Sequence, residues 1–173
     1  MDTKIVLVGY MASGKSTIGK YLAEELDIEF MDLDDAISTK VGLTIPEIFE
    51  TKGELFFRKI ETKVLNELLV ENKGLVIATG GGTPCYGNNM KDIDVQTKNT
   101  FYLKLSIPSL LERIRKEKEQ RPLVTQLDDK DLPEFIGKHL FERSMFYAMA
   151  KHTIECDNKS VEEISGKIRE FLV

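Results

Sequence analysis

The sequence predicts a three-layer α/β fold built on a mainly parallel sheet, and two observations carry that prediction. Short runs of β-branched residues and leucine alternate with amphipathic stretches of helical length about five times. In addition, the polar groups able to do chemistry each follow a strand. Ligands of open parallel sheets gather there, outside the carboxyl ends of the strands.

Taken in order, residues 5–8 (IVLV) form a buried strand bounded by Lys4 and Gly9. Apolar residues at Ile18, Tyr21, Leu22 and Leu26 then place a helix over 16–26, and 28–31 is a second short strand. TIPE at 44–47 is a capping box with Pro46 in the first turn, where a missing N–H costs little. Helical spacing over 53–71 sets Phe57, Ile60, Val64, Leu65 and Leu68 on one face. A strand at 75–78 runs into three glycines, and 101–105 is another strand, followed by a helix from Pro108 to about Lys118. Residues 119–131 are polar and unpatterned, a loop. A helix over 132–150, a strand at 153–156 and a helix over 160–172 complete the chain. No repeat or low-complexity tract interrupts it.

Bulk properties narrow the function classes. A chain of 173 residues is expected to form one domain (1–173) that buries roughly 70% of its unfolded surface. The net charge of −5 argues against a nucleic-acid partner. Two cysteines without CxxC spacing and two histidines give no zinc or disulfide framework. The first apolar run is too short for a signal peptide or a membrane span. A cytoplasmic protein with no membrane partner is the expectation.

GYMASGKS at 9–16 fits GxxxxGK[ST] between a strand and a helix start. Glycines let backbone N–H groups converge on phosphate oxygens, and the helix turns its positive end toward them. Ala12, Ser13, Gly14, Lys15, Ser16 and Thr17 are therefore the expected phosphate-binding residues. Lys15 reaches the β- and γ-phosphates, and the Ser16 hydroxyl ligates Mg²⁺. A guanine-reading NKxD is absent: Asn72-Lys73 and Asn158-Lys159 lead into GL and SV. No apolar strand ends in a plain Walker B aspartate either. The strand at 75–78 ends in Thr79-Gly80-Gly81-Gly82 instead, three missing side chains where something comes close to the backbone.

The ordered set GYMASGKST, FMDLDD, TIPEIFETKGELFFRKIE, IATGGG, RPL at 121–123 and ERSMFYAMA resembles the shikimate kinases over nearly the whole chain. The resemblance implies a nucleoside-monophosphate-kinase-like P-loop fold with sheet order 2-3-1-4-5. It implies transfer of the γ-phosphoryl group of ATP, with Mg²⁺, to the 3-hydroxyl of shikimate, and a monomer. It also implies a substrate-binding region near 32–61 and a lid near 113–131. By position, Asp34 matches the aspartate that binds the shikimate hydroxyls and accepts the proton, and Asp32 one that helps hold Mg²⁺. Arg58 and Arg143 match two carboxylate-gripping arginines, and Gly80, Gly81 and Gly82 the wall of that pocket. Arg121 matches the lid arginine that reaches the phosphates, Arg113 a residue near adenine, and 157–160 a segment beside it.

Local physics agrees, since two arginines fix the direction of a carboxylate. It also leaves plainer readings open. Arg58 has Glu54 and Glu61 one turn away on its helix. Tyr147 and Phe57 read as packing, and His139 and His152 as surface or helix-end residues. Cys85 falls near the pocket without an assigned role. Read as an extended segment, Asp32 and Asp34 share a face toward the phosphate loop, while Asp35 supplies first-turn charge to the next helix. A gluconate kinase and a non-catalytic nucleotide-binding regulator are the competing readings.

Overall fold

The computed structural model describes residues 3–173. Strands β1 (Lys4–Val8), β2 (Glu29–Asp32), β3 (Leu75–Ala78), β4 (Thr100–Lys104) and β5 (His152–Glu155) form one sheet. Its order is β2-β3-β1-β4-β5, as expected, with every pairing parallel. Successive side chains of a strand point to opposite faces. Ile5, Val6, Leu7 and Val8 are nevertheless all 0% exposed, so both faces of β1 are covered. This is why the central strands read as unbroken apolar runs. At the edge, β5 alternates instead: Ile154 is buried while Thr153 and Glu155 face solvent.

The covering helices are α1 (Lys15–Leu26), α2 (Leu33–Val41), α3 (Ile45–Leu69), α4 (Asn89–Gln96), α5 (Ile107–Glu117), the single turn α6 (Pro122–Thr125), α7 (Leu132–Tyr147) and α8 (Val161–Glu170). The capping box is present at Thr44, whose hydroxyl accepts the Glu47 N–H while Glu47 accepts the Thr44 N–H. Helix α3 thus starts at Ile45, eight residues before the main run. Gly53, at φ 81° and ψ 171°, breaks it there, a conformation that a side chain would disfavour. The expected loop at 119–131 contains a 3₁₀ turn (118–120) and α6. Helix α4 and a 3₁₀ turn at Thr83–Cys85 fall where no element was predicted.

Strand register places the site. Asp32 pairs with Ala78, and Ala78 with Leu7, forming one row across three neighbouring strands. Chain leaving that row enters the phosphate loop from β1, the glycine run from β3 and the aspartate segment from β2. Three segments remote in sequence therefore emerge side by side. The Thr79 hydroxyl and N–H both donate to the Leu7 carbonyl, at 2.9 and 3.1 Å, joining two of them beyond the paired residues.

Candidate active site

Helix α1 begins at Lys15 with Gly14 as its N-cap, and no side chain caps it. Its first N–H groups are left to an anion entering the loop. Gly9 sits at φ 152°, where an added Cβ would lie 2.9 Å from the Leu103 carbonyl oxygen, so no larger residue fits. Ala12 holds a left-handed φ of 62°, strain of a kind that collects at functional loops. Lys15 Nζ donates to the carbonyls of Gly9 and Tyr10 at 2.7 and 2.9 Å. Burial, the main cause, pulls its pKa down to about 8, opposed by Asp34. A desolvated ammonium of this kind gains most from an arriving phosphate.

Met11 to Thr17, Asp32, Asp34, Thr79, Gly80, Gly81, Arg113, Glu117 and Arg121 line a cleft of about 490 Å³. That volume suits a small-molecule site. The Ser16 hydroxyl donates to Asp32 Oδ2 at 2.6 Å, while Oδ1 of the same carboxylate accepts the Asp34 N–H at 3.0 Å. Asp32 is therefore the N-cap of α2 as well as the neighbour of the phosphate loop.

This corrects one expectation. Helix α2 starts at Leu33, so Asp34 lies in its first turn and does not share a strand face with Asp32. Both still reach the cleft, because the capping carboxylate folds back over that turn. Asp35 is exposed in the first turn, as expected. Burial, reinforced by Asp32 and Glu61, pushes Asp34 up to about 6 against the pull of Lys15.

The glycine run is the other wall. A Cβ at Gly80 would stand 3.4 Å from Asp34 Oδ1 and 3.5 Å from Glu61 Oε1. One at Gly81 would stand 3.4 Å from the Arg143 guanidinium, and one at Gly82 2.9 Å from Arg58 and 3.3 Å from Arg143. Asp34, Arg58 and Arg143 thus converge on three residues without side chains. Arg58, Gly82 and Arg143 lie just beyond the 490 Å³ cleft, behind Gly81. Arg58 also makes the local pairing that helix spacing allows, donating to Glu61 Oε2 at 2.9 Å. Its Nε is buried without a hydrogen bond, 3.7 Å from Glu54 Oε1, an unmet donor in a cationic corner.

Four groups do more than the sequence reading gave them. Glu61 is 1% exposed and holds both Arg58 and the Thr83 hydroxyl, the latter at 2.7 Å. Tyr86 lies under the Arg58 guanidinium, 3.7 Å from ring centroid to carbon, and donates to Glu54 at 2.8 Å. Tyr147 is more than packing: its hydroxyl donates to the Gly81 carbonyl at 2.6 Å. His139, half-buried, is more than a surface residue, since it bonds the hydroxyl of the buried Tyr10. Only Glu61 carried a signal, as an acid three residues from Arg58.

On the nucleotide side, Arg113 donates to the Ala12 carbonyl at 3.1 Å, and Arg121 pairs with Glu117. The cleft wall does not extend to 157–160. Asp157 there accepts the Ser106 N–H at the start of α5. Cys85 is half-buried and feels both Arg143 and Arg58. His152 stacks between Phe101 and Phe171, far from any of this in role.

A family model described as shikimate kinase matches residues 11–173. The chain belongs to the shikimate kinase family. It is 43% identical to a shikimate kinase of Flavobacterium johnsoniae over 98% of both chains, and 42% identical to one of Flavobacterium psychrophilum over the same share. Among solved structures, a shikimate kinase from Bacteroides thetaiotaomicron superposes with a TM-score of 0.90 at 34% identity, covering 97% of both chains. Another, from Acinetobacter baumannii in complex with shikimate, gives 0.86 at 38% identity, covering 96% of this chain and 90% of that one. A gluconokinase from Sinorhizobium meliloti, at 15% identity and a TM-score of 0.60, shares the fold alone. Among the described residues, no helix is long and apolar enough to cross a membrane.

Proposed function

We propose that this protein transfers the γ-phosphoryl group of ATP to the 3-hydroxyl of shikimate, giving shikimate 3-phosphate and ADP. The observation that carries the reading is the convergence of Asp34, Arg58 and Arg143 on Gly80–Gly82, beside a phosphate loop. The acceptor's carboxylate pairs with Arg58 and Arg143, leaving its hydroxyls toward Asp34. As the hydroxyl oxygen attacks the γ-phosphorus, its proton passes to Asp34. The bond from that phosphorus to the β-phosphate oxygen breaks, and ADP leaves. A carboxylate poised near pH 6 is a suitable acceptor for that proton. Lys15 and Arg121 offset charge on the transferring oxygens.

Ser16 and Asp32 present two oxygens 2.6 Å apart at the phosphate loop, and no cluster of three or more metal-binding side chains exists among the described residues. That sparse oxygen set fits Mg²⁺, which keeps waters and takes its other ligands from phosphates. When bound, the ion would neutralise phosphate charge. Residues 32–61 form the acceptor region of a single unit spanning 1–173, and 113–131 form the lid that carries Arg121 and Arg113 to the nucleotide. Lid closure would exclude water and limit futile hydrolysis of ATP. The reading includes a monomeric cytoplasmic enzyme of chorismate and aromatic amino-acid biosynthesis.

A coupled ADP-release assay across shikimate, gluconate and nucleoside monophosphates tests it. Turnover confined to shikimate is expected. No turnover with shikimate at saturating MgATP overturns the reading, and turnover with gluconate instead would transfer it to the sugar-acid kinases.

A further inference from the structure

Helix α7 carries His139, Arg143 and Tyr147 at intervals of four residues, one turn apart on a single face. Each addresses the site. Tyr147 holds the glycine run through the Gly81 carbonyl. Arg143, in the middle, stands against Gly81 and Gly82. His139 holds the phosphate loop, its Nδ1 lying 2.8 Å from the Tyr10 hydroxyl.

The last contact is built rather than incidental. Tyr10 is 1% exposed, and its ring stands edge-on to the imidazole with centroids 5.4 Å apart. Phe135, one turn earlier on α7, packs on the same imidazole at 5.3 Å. Burial pushes the Tyr10 phenol up to about 12, so it keeps its proton and donates. Burial and the nearby Arg143 pull His139 down, which favours the neutral imidazole, and its Nε2-protonated tautomer accepts the phenol's hydrogen bond at Nδ1. The main-chain carbonyl of the same tyrosine accepts from Lys15. One residue therefore touches the phosphate-binding lysine through its backbone and α7 through its side chain.

We propose that Tyr10 and His139 are positioning residues: their hydrogen bond locks α7, and with it Arg143, onto the phosphate loop. The inference rests on the reading of Arg143 as a ligand of the acceptor's carboxylate. Two anchors eight residues apart, His139 on one loop and Tyr147 on the other, fix the spacing of donor and acceptor sites along about 12 Å of helix. In-line transfer is sensitive to that spacing, since misplacement by about 1 Å costs on the order of a hundredfold.

Steady-state kinetics on Tyr10→Phe, His139→Leu, His139→Asn, Tyr10→Phe/His139→Leu and Arg143→Ala test this. Asparagine sets a carbonyl oxygen close to where Nδ1 stands, and leucine sets none. Tyr10→Phe and His139→Leu should each raise the KM for shikimate about 3- to 10-fold, the value of one hydrogen bond. The KM for ATP should change less than about twofold, His139→Asn should stay near the parent, and the double variant should be no worse than either single one. Single effects that multiply in the double variant overturn the proposal. So does a fall in Tm with both KM values unchanged, which is the signature of packing alone. If Arg143→Ala leaves the shikimate KM unchanged, the reading of Arg143 fails and takes the inference with it. If Arg143→Ala raises that KM while Tyr10→Phe and His139→Leu do not, only the inference fails.

Discussion

Arg121 brings a cation to the cleft and Arg58 another just beyond it, and the protein holds them by opposite means. Arg58 sits in a cage: the buried Glu61 at 2.9 Å, the Tyr86 ring at 3.7 Å and Glu54 beyond it. Glu61 is itself fixed by Thr83, whose carbonyl accepts from Asn89, which in turn accepts from Thr62. Arg121 has one ion-pair partner, Glu117, four residues back along a segment of one 3₁₀ turn and one helical turn. A cage of this depth sets a guanidinium before any ligand arrives, which suits a clamp that must orient an acceptor. A single half-buried pair with no further partner is worth little and releases its arginine more readily than the cage does. On the proposed roles of these two arginines, the acceptor side is preorganised and the phosphate side would be assembled around its cargo.

Several measurements would break or sharpen that contrast. The largest effect belongs to Asp34, which serves the caged side. Asp34→Asn should lower kcat by about 10²- to 10⁴-fold with the affinity for ADP nearly unchanged. A collapse of nucleotide affinity, read by calorimetry, would make Asp34 a metal residue instead. In the parent, kcat/KM for ATP should fall on the acid side through about pH 6, where Asp34 takes up its proton. The raised pKa also means that the folded protein disfavours the charged carboxylate. That cost is complete above about pH 6 and absent below the ordinary carboxylate pKa. Asp34→Asn should therefore stabilise the fold at pH 8, by an amount on the order of 2 kcal/mol, and scarcely at pH 4. Equal gains at the two pH values would show that charge is not the cause.

Arg58→Ala comes next. It should raise the shikimate KM on the order of a hundredfold. It should also cost about 3 kcal/mol of stability in denaturant titration, because Glu61 is left buried without its cation. A loss of binding with full stability would mean that the cage does not hold Arg58 in the way described. Gly82→Ala is gentler. The backbone there has an ordinary φ of −92°, and the new methyl group would meet only the guanidinium ends of Arg58 and Arg143. The shikimate KM should rise roughly tenfold with Tm unchanged, since about 1.4 kcal/mol of displacement is a factor of ten. The smallest effect is expected at the Arg121–Glu117 pair. Glu117→Gln should alter Tm little and the shikimate KM by less than about twofold, a single half-buried pair of this kind being worth about 1 kcal/mol. A larger change in either would put the two arginines in one class.

Much of this was legible in the chain because backbone geometry demands particular residues. Gly9 and Gly14 are required by a loop that brings N–H groups together, and Thr44 with Glu47 is required to start a helix. Legibility ends where tertiary contact decides. FMDLDD was readable as the end of a strand, yet the capping bond from Asp32 starts the helix one residue too early for a twofold alternation to survive. Helix α4 was invisible because only Met90 and Ile93 of its apolar residues are buried, too few to declare a period. Tyr86 and His139 have no neighbour in sequence that explains them. Their meaning lies in Arg58, 28 positions away by numbering (86 − 58), and in Tyr10, 129 positions away.

The wall at Gly80–Gly82 has a further consequence for chemistry aimed at this site. A compound resting on backbone atoms touches a surface that no point mutation can delete. Any residue larger than glycine at Gly82 pushes directly on Arg58 and Arg143. If those two arginines hold the acceptor's carboxylate as proposed, a variant that escaped such an inhibitor there would also disturb the grip on substrate, so drug resistance and loss of fitness would arrive in the same codon.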